Sequence, residues 1–210
     1  MKSSSTRAPR WPALLALLSV GGLFLALPDS LVVGPRWLLL LVVVLLIVPT
    51  VQTHLTGNDR TNQILGYALC AVVTLALCGS LILLVGALPS HRENALQMLQ
   101  SAGALWLTNV LVFALWYWRL DGGGPHARDA RAHHCDGAFL FPQMTLPDAQ
   151  SKNWSPDFVD YLFLAFNTST AFSPTDAPVL SRWGKVLMML QSLVSLLIVA
   201  LLAARAVNVL

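Results

Sequence analysis

The sequence predicts an all-α, polytopic transmembrane protein, and three observations carry that expectation. Only 11% of the 210 residues are charged while 56% are hydrophobic, against about 25% charged in an ordinary soluble domain. The apolar residues fall in long runs rather than short alternating patches, which is the pattern of helices that meet lipid. The basic residues stand singly at the ends of those runs, as flanks that orient membrane helices do. The net charge of +3 is therefore no sign of a nucleic-acid partner, which would need a basic stripe. The expected setting is a lipid bilayer, and the expected location is the cell membrane, crossed several times.

Four spans are expected in residues 1–118. The first is Trp11 to Leu27, uncharged and preceded by Lys2, Arg7 and Arg10. No small-x-small cleavage site follows it and further spans come at once, so it reads as a helix rather than a secretory signal. The second is Leu31 to Val48, with Pro35 and Arg36 near its start. Its solid part from Trp37 is short for a bilayer, so the leading Leu-Val-Val is needed for length and Arg36 would snorkel to the interface. Polar residues from Gln52 to Asn62 make the next connection. The third span has a solid core of Ile64 to Leu88, and the fourth is Ala95 to Trp118. The fourth ends in Trp116, Tyr117 and Trp118, the aromatic belt of a helix leaving hydrocarbon. Its Gln97, Gln100, Ser101, Thr108 and Asn109 read as helix–helix hydrogen-bonding groups.

Residues 119–157 change character, with Gly122 to Gly124 and four prolines marking a long solvated loop. His126 and the run His133, His134, Cys135, Asp136 offer metal-ligand chemistry, but adjacent ligands on one short stretch rarely close a tetrahedral centre. No metal and no cofactor are expected. The same residues would be the only candidates for a membrane enzyme, and no nucleophile–base spacing accompanies them, so the chain reads as a non-enzyme. Cys70 and Cys78 lie in an apolar run and Cys135 in the loop, so no disulfide framework is implied.

Residues 158–210 hold a short apolar segment, Asp157 to Phe172, a Pro-rich extended piece, and a final span, Val186 to Ala204. A short helix turning polar at its C-terminal end, then a Pro-rich return, suggests a re-entrant hairpin, although a spanning helix is also open. Phe166-Asn-Thr-Ser-Thr-Ala-Phe-Ser-Pro-Thr-Asp176 resembles the pore loop of two-span potassium channels. The likeness extends back through Asp160-Tyr-Leu-Phe-Leu-Ala and forward to the final span. The resemblance implies a homo-oligomeric pore, passing monovalent cations. Ser173, Pro174 and Thr175 stand where the family has Gly-Tyr-Gly, so the potassium filter itself is not implied, because glycine permits backbone angles that other residues resist. The pore-lining candidates are Asn167, Thr168, Ser169, Thr170, Ser173 and Thr175, with Asp176 at the mouth. Gln191 and Ser195, sharing a face of the last helix with Ser192, would meet water. The alternative is a non-conducting membrane protein that binds partners or lipids through the 119–157 loop. Charge counting puts the N-terminus and that loop in the cytoplasm, whereas a channel pore loop opening outward needs the reverse.

Overall fold

The computed structural model describes residues 9–87, 95–130, 137–146, 154–171 and 177–207. Seven helices are present among them: α1 Trp11–Ala26, α2 Trp37–Leu55, α3 Asp59–Ala87, α4 Ala95–Leu120, α5 Pro125–Asp129, α6 Phe158–Ala171 and α7 Arg182–Val207. The only β-type pairing among the described residues is one bridge, Phe139 to Val179.

Local chemistry explains most of the boundaries. Pro12 starts α1, where its missing N–H costs nothing, and Pro28 follows its end. The second helix differs from the sequence expectation. Leu31 closes a 3₁₀ turn, Gly34 takes φ +88°, and the helix begins only at Trp37. It recovers its length at the other end by running through Pro49 to Leu55. The hydroxyls of Thr50 and Thr53 bond to the carbonyl oxygens of Leu46 and Pro49 there. The expected Gln52–Asn62 connection thus shrinks to a tight turn, with Gly57 at φ +72° and Asn58 Oδ1 accepting the Thr61 N–H. At the other end of the molecule Arg36 forms an exposed ion pair with Asp29, and that guanidinium holds the Asp29 carboxyl below the usual carboxylate range.

Four helices are long and apolar enough to cross a membrane, namely α2, α3, α4 and α7. The first helix, expected as a span, has sixteen residues. That is about 24 Å at 1.5 Å per residue, against a hydrocarbon core of about 30 Å.

The fourth helix is the axis of the bundle. Of its apolar window 67% is buried, against 17% for α2 and 22% for α7. It packs against α1 and α3 on one side and α6 and α7 on the other, while α2 covers α1 and α3. Its polar residues are tolerated for that reason. Ser101 and Thr108 bond to carbonyls of their own helix, and Asn109 reaches α7. The outer faces of α2, α3 and α7 expose Leu45, Leu75, Ile82, Met189 and Leu193, each more than half accessible. Such apolar surface suits lipid rather than water. Helices α1 and α2 approach tightly at Gly21, where a Cβ would lie 3.1 Å from the Leu40 Cα.

The 119–157 segment is not a plain solvated loop. Three successive glycines at φ +57°, +80° and +95° turn the chain out of α4 and into α5, conformations that a side chain would strain. Phe139, with no exposed surface, sits among Tyr117, Phe141, Tyr161 and Trp183 at ring separations of 5.2–6.5 Å. Asp121 is also fully buried. Its carboxylate accepts the Ala138 N–H and the Tyr161 hydroxyl, the latter at 2.6 Å. Leu180 N–H then bonds to the Ala138 oxygen at 2.7 Å, and Leu140 N–H to Pro178 O at 2.9 Å. The C-terminal end of α4 therefore anchors the chain just before α7 as well as the first turn of α6.

Candidate functional site

Two groups of polar side chains lie inside this apolar protein, one between α4, α6 and α7 and one at the end of the bundle where α1, α2, α3 and α4 meet α5.

The first group is centred on Gln191. The sixth helix begins with a reciprocal cap, in which Asp157 Oδ1 accepts the Val159 N–H and Asp160 Oδ2 accepts the Asp157 N–H. Gln191, with no exposed surface, donates from Nε2 to Ala165 O and Ser169 Oγ, both at 2.7 Å. Its Oε1 accepts the Tyr117 hydroxyl at 2.5 Å. One turn further along, Asn109 Nδ2 donates to Ser195 Oγ at 3.0 Å and to the Gln191 carbonyl oxygen at 3.2 Å. Ser192 Oγ donates to Thr168 O at 3.4 Å, and Thr168 itself bonds to Leu164 O. Asn109 Oδ1 is buried with no hydrogen-bond partner among the described residues.

Of the residues named from the sequence, Thr168, Ser169, Gln191 and Ser195 are thus brought together, buried within one chain and bonded across helices. Asn167 is half-buried and Thr170 is exposed near the C-terminal end of α6. Ser173, Thr175 and Asp176 lie outside the described residues, as do His133, His134, Cys135 and Asp136. No group of three metal-ligating side chains occurs among the described residues.

The second group was not legible in the sequence. Arg10, just before α1, donates to His54 Nδ1 at 2.9 Å, to His126 Nε2 at 2.7 Å and to Asp129 Oδ2 at 2.9 Å. His126 Nδ1 lies 2.6 Å from Asp59 Oδ1. His126 Nε2 also lies 3.0 Å from Asn62 Oδ1; a guanidinium can only donate, so the shorter Arg10 contact assigns the ring proton to Nδ1, facing Asp59. Burial, and then the neighbouring Arg10, hold the His126 imidazole below its ordinary pKa, with Asp59 pulling the other way. Arg119 lies beside these groups and is only 7% exposed. Its Nη1 donates to Asn62 Oδ1 at 3.3 Å, its guanidinium stands 5.0 Å from the Trp118 ring centroid, and Asn62 is held in turn by the Thr50 oxygen. A cavity of about 110 Å³ opens among Arg10, His54, Asn62 and Arg119. The signal was hidden because the partners of Arg10 lie 44 to 119 positions away along the chain, and each reads alone as an interfacial flank.

Comparison with protein-family models, with curated proteins and with solved structures finds no match to this chain.

Proposed function

We propose that the chain is a multi-pass membrane protein whose α6 hairpin re-enters the bilayer, forming a cation-permeable pore when several copies assemble. The observation that carries this reading is the common origin of α6 and α7. Tyr161, in the first turn of α6, is tied to Asp121, and Leu180, just before α7, is tied to Ala138 beside the same carboxylate. Fourteen residues of α6 cover about 21 Å, too little to cross about 30 Å of hydrocarbon. A helix that enters part-way and a chain that returns to its starting end is the geometry of a pore loop. It leaves the carbonyl end of α6 at depth, where the helix dipole favours a cation.

The pathway under this reading would be narrower than the resemblance to potassium channels implies. Gln191, Ser195 and Ser169 are occupied with one another and with Asn109 and Tyr117, leaving Asn167 and Thr170 as its lining among the described residues. The end bearing Asp121 also carries Arg10, Arg60, Arg119, Arg128, Arg182 and Lys185. The positive-inside rule assigns it to the cytoplasm, so the proposed loop opens inward. The saturated bonding of Gln191 is the specific observation favouring a second reading, a non-conducting membrane protein whose α4, α6 and α7 simply pack.

Flux through the purified full-length protein in liposomes distinguishes the two. The pore reading expects protein-dependent potassium or sodium flux that falls when Thr170 is replaced by Leu. Absence of flux for every monovalent cation, from protein whose folded state is verified by cooperative unfolding, would favour the packing reading.

A further inference from the structure

Arg119 presents an energetic problem that the chain leaves open. A guanidinium carries five N–H donors, and this one makes a single hydrogen bond, to an uncharged amide oxygen, with no carboxylate paired to it among the described residues. A buried charge without a counterion is unfavourable. The site is nevertheless shaped to keep it. Helix α3 has glycine at position 66, and a Cβ there would lie 2.2 Å from Arg119 Cζ, so the missing side chain is the space the guanidinium occupies.

The cavity beside it has two kinds of wall. Arg10, His54, Asn62 and Arg119 stand at one end and Leu14, Leu17, Leu69 and Leu115 line the rest, so that the surface open to the cavity is mostly apolar. Arg10 spends part of its charge on Asp129 at 2.9 Å, and Asp59 is turned to His126 and two-thirds exposed. The surplus charge facing the cavity is therefore positive and belongs to Arg119. The cavity lies where α1 and α3 begin and α2 and α4 end, beside Trp118 of the aromatic belt, a position that suits the level where lipid headgroups meet hydrocarbon.

We propose that this cavity binds the anionic headgroup of an amphiphile, a carboxylate or phosphate monoester attached to a hydrocarbon chain. Arg119 is its counterion, Arg10 stands beside it, and the leucines take the first carbons of the chain. A bidentate contact from the guanidinium to two oxygens would satisfy donors that the protein leaves free. The volume of about 110 Å³ admits a headgroup and a few carbons, so the remainder of the chain would run out between helices into lipid. This site is separate from the α6 hairpin and stands or falls independently of ion conduction.

The test is thermal unfolding of the full-length protein in a neutral maltoside detergent, titrated with hexanoate, acetate, hexan-1-ol, inorganic phosphate, and dihexanoyl phosphatidate or phosphatidylcholine. The expected result is a saturable rise in Tm with hexanoate and with phosphatidate, and none with hexan-1-ol or phosphatidylcholine. Acetate and inorganic phosphate should need at least tenfold higher concentration. Whichever of hexanoate and phosphatidate saturates first identifies a free fatty acid or a phospholipid as the source. Arg119→Gln should abolish the rise. Gly66→Ala, which keeps every charge but places a methyl where the guanidinium lies, should weaken it at least tenfold, while Arg36→Gln at the opposite end should leave it unchanged. Equal shifts from hexan-1-ol and hexanoate, equal shifts from acetate and hexanoate, or an undiminished shift in either site variant would overturn the proposal.

Discussion

Replacing Gln191 by leucine isolates what holds α7 to the rest of the bundle. The side chain makes three bonds to other helices, accepting from Tyr117 at 2.5 Å and donating to Ala165 O and Ser169 Oγ at 2.7 Å. Leucine has a similar bulk, so the change removes the bonds without opening a large cavity. Hydrogen bonds between membrane helices contribute about 0.6 kcal/mol each on average and at most about 1.7. Three of them give an expected loss of about 2 kcal/mol, with an upper bound near 5 kcal/mol if each reaches the maximum. The buried Tyr117 hydroxyl, left without its acceptor, pushes the value towards the upper part of that range. Reversible unfolding of the purified protein by dodecyl sulfate in mixed micelles, read by tryptophan fluorescence, measures the difference. Repeating it in a Tyr117→Phe background completes a double-mutant cycle, and a coupling of at least about 0.5 kcal/mol is expected for groups in contact. A loss below about 0.5 kcal/mol together with zero coupling would mean that Gln191 does not bind α4 to α7, and the reasoning about a saturated helix interface would fail.

Two further outcomes follow from the other end of the molecule. Asp121→Ala strips the acceptor from the Ala138 N–H and the Tyr161 hydroxyl, both buried. At about 1–3 kcal/mol per orphaned group it should be among the most destabilising single substitutions, measured by the same unfolding assay. The His126 imidazole is held below its ordinary value of 6.5, so near that pH the unfolded chain binds more protons than the folded one. Its contribution is therefore complete above about pH 6.5 and is lost as pH falls through the lower, folded value. The charged and titratable groups facing it are Arg10, His54, Asp59 and Arg119. The unfolding midpoint should decline on acidification below about 6.5, and His126→Gln should flatten that decline. An unchanged slope in the variant would show that another group titrates.

The helices were legible because long uncharged runs have few alternatives, and α3, α4 and α7 appear close to where the apolar runs place them. The second helix was misplaced because a hydropathy run carries no information on backbone angle. Gly34 and Pro35 interrupt the run at one end, while Thr50 and Thr53 let the helix continue past Pro49 at the other. The burial of Phe139 and Asp121 was hidden by the charges and glycines around them, since the composition of a segment does not report what a distant tyrosine will contact. In the last helix, the polar face of Gln191 and Ser195 was visible from spacing alone. Which way it turns depends on Asn109 and Tyr117, 86 and 74 residues away. The basic cluster is the extreme case, assembled from five elements and visible only once the bundle closes.

The common origin of α6 and α7 is tested most directly by sidedness. In a background with Cys70, Cys78 and Cys135 replaced by alanine, single cysteines are placed at the exposed positions Ser155, ahead of α6, and Leu180, ahead of α7. Each is then probed in sealed, oriented vesicles with a membrane-impermeant maleimide. A re-entrant α6 predicts that both cysteines react from the same face, together with a control cysteine at Asn58 in the α2–α3 turn. Reaction of Ser155→Cys and Leu180→Cys from opposite faces would make α6 a crossing helix and contradict the account.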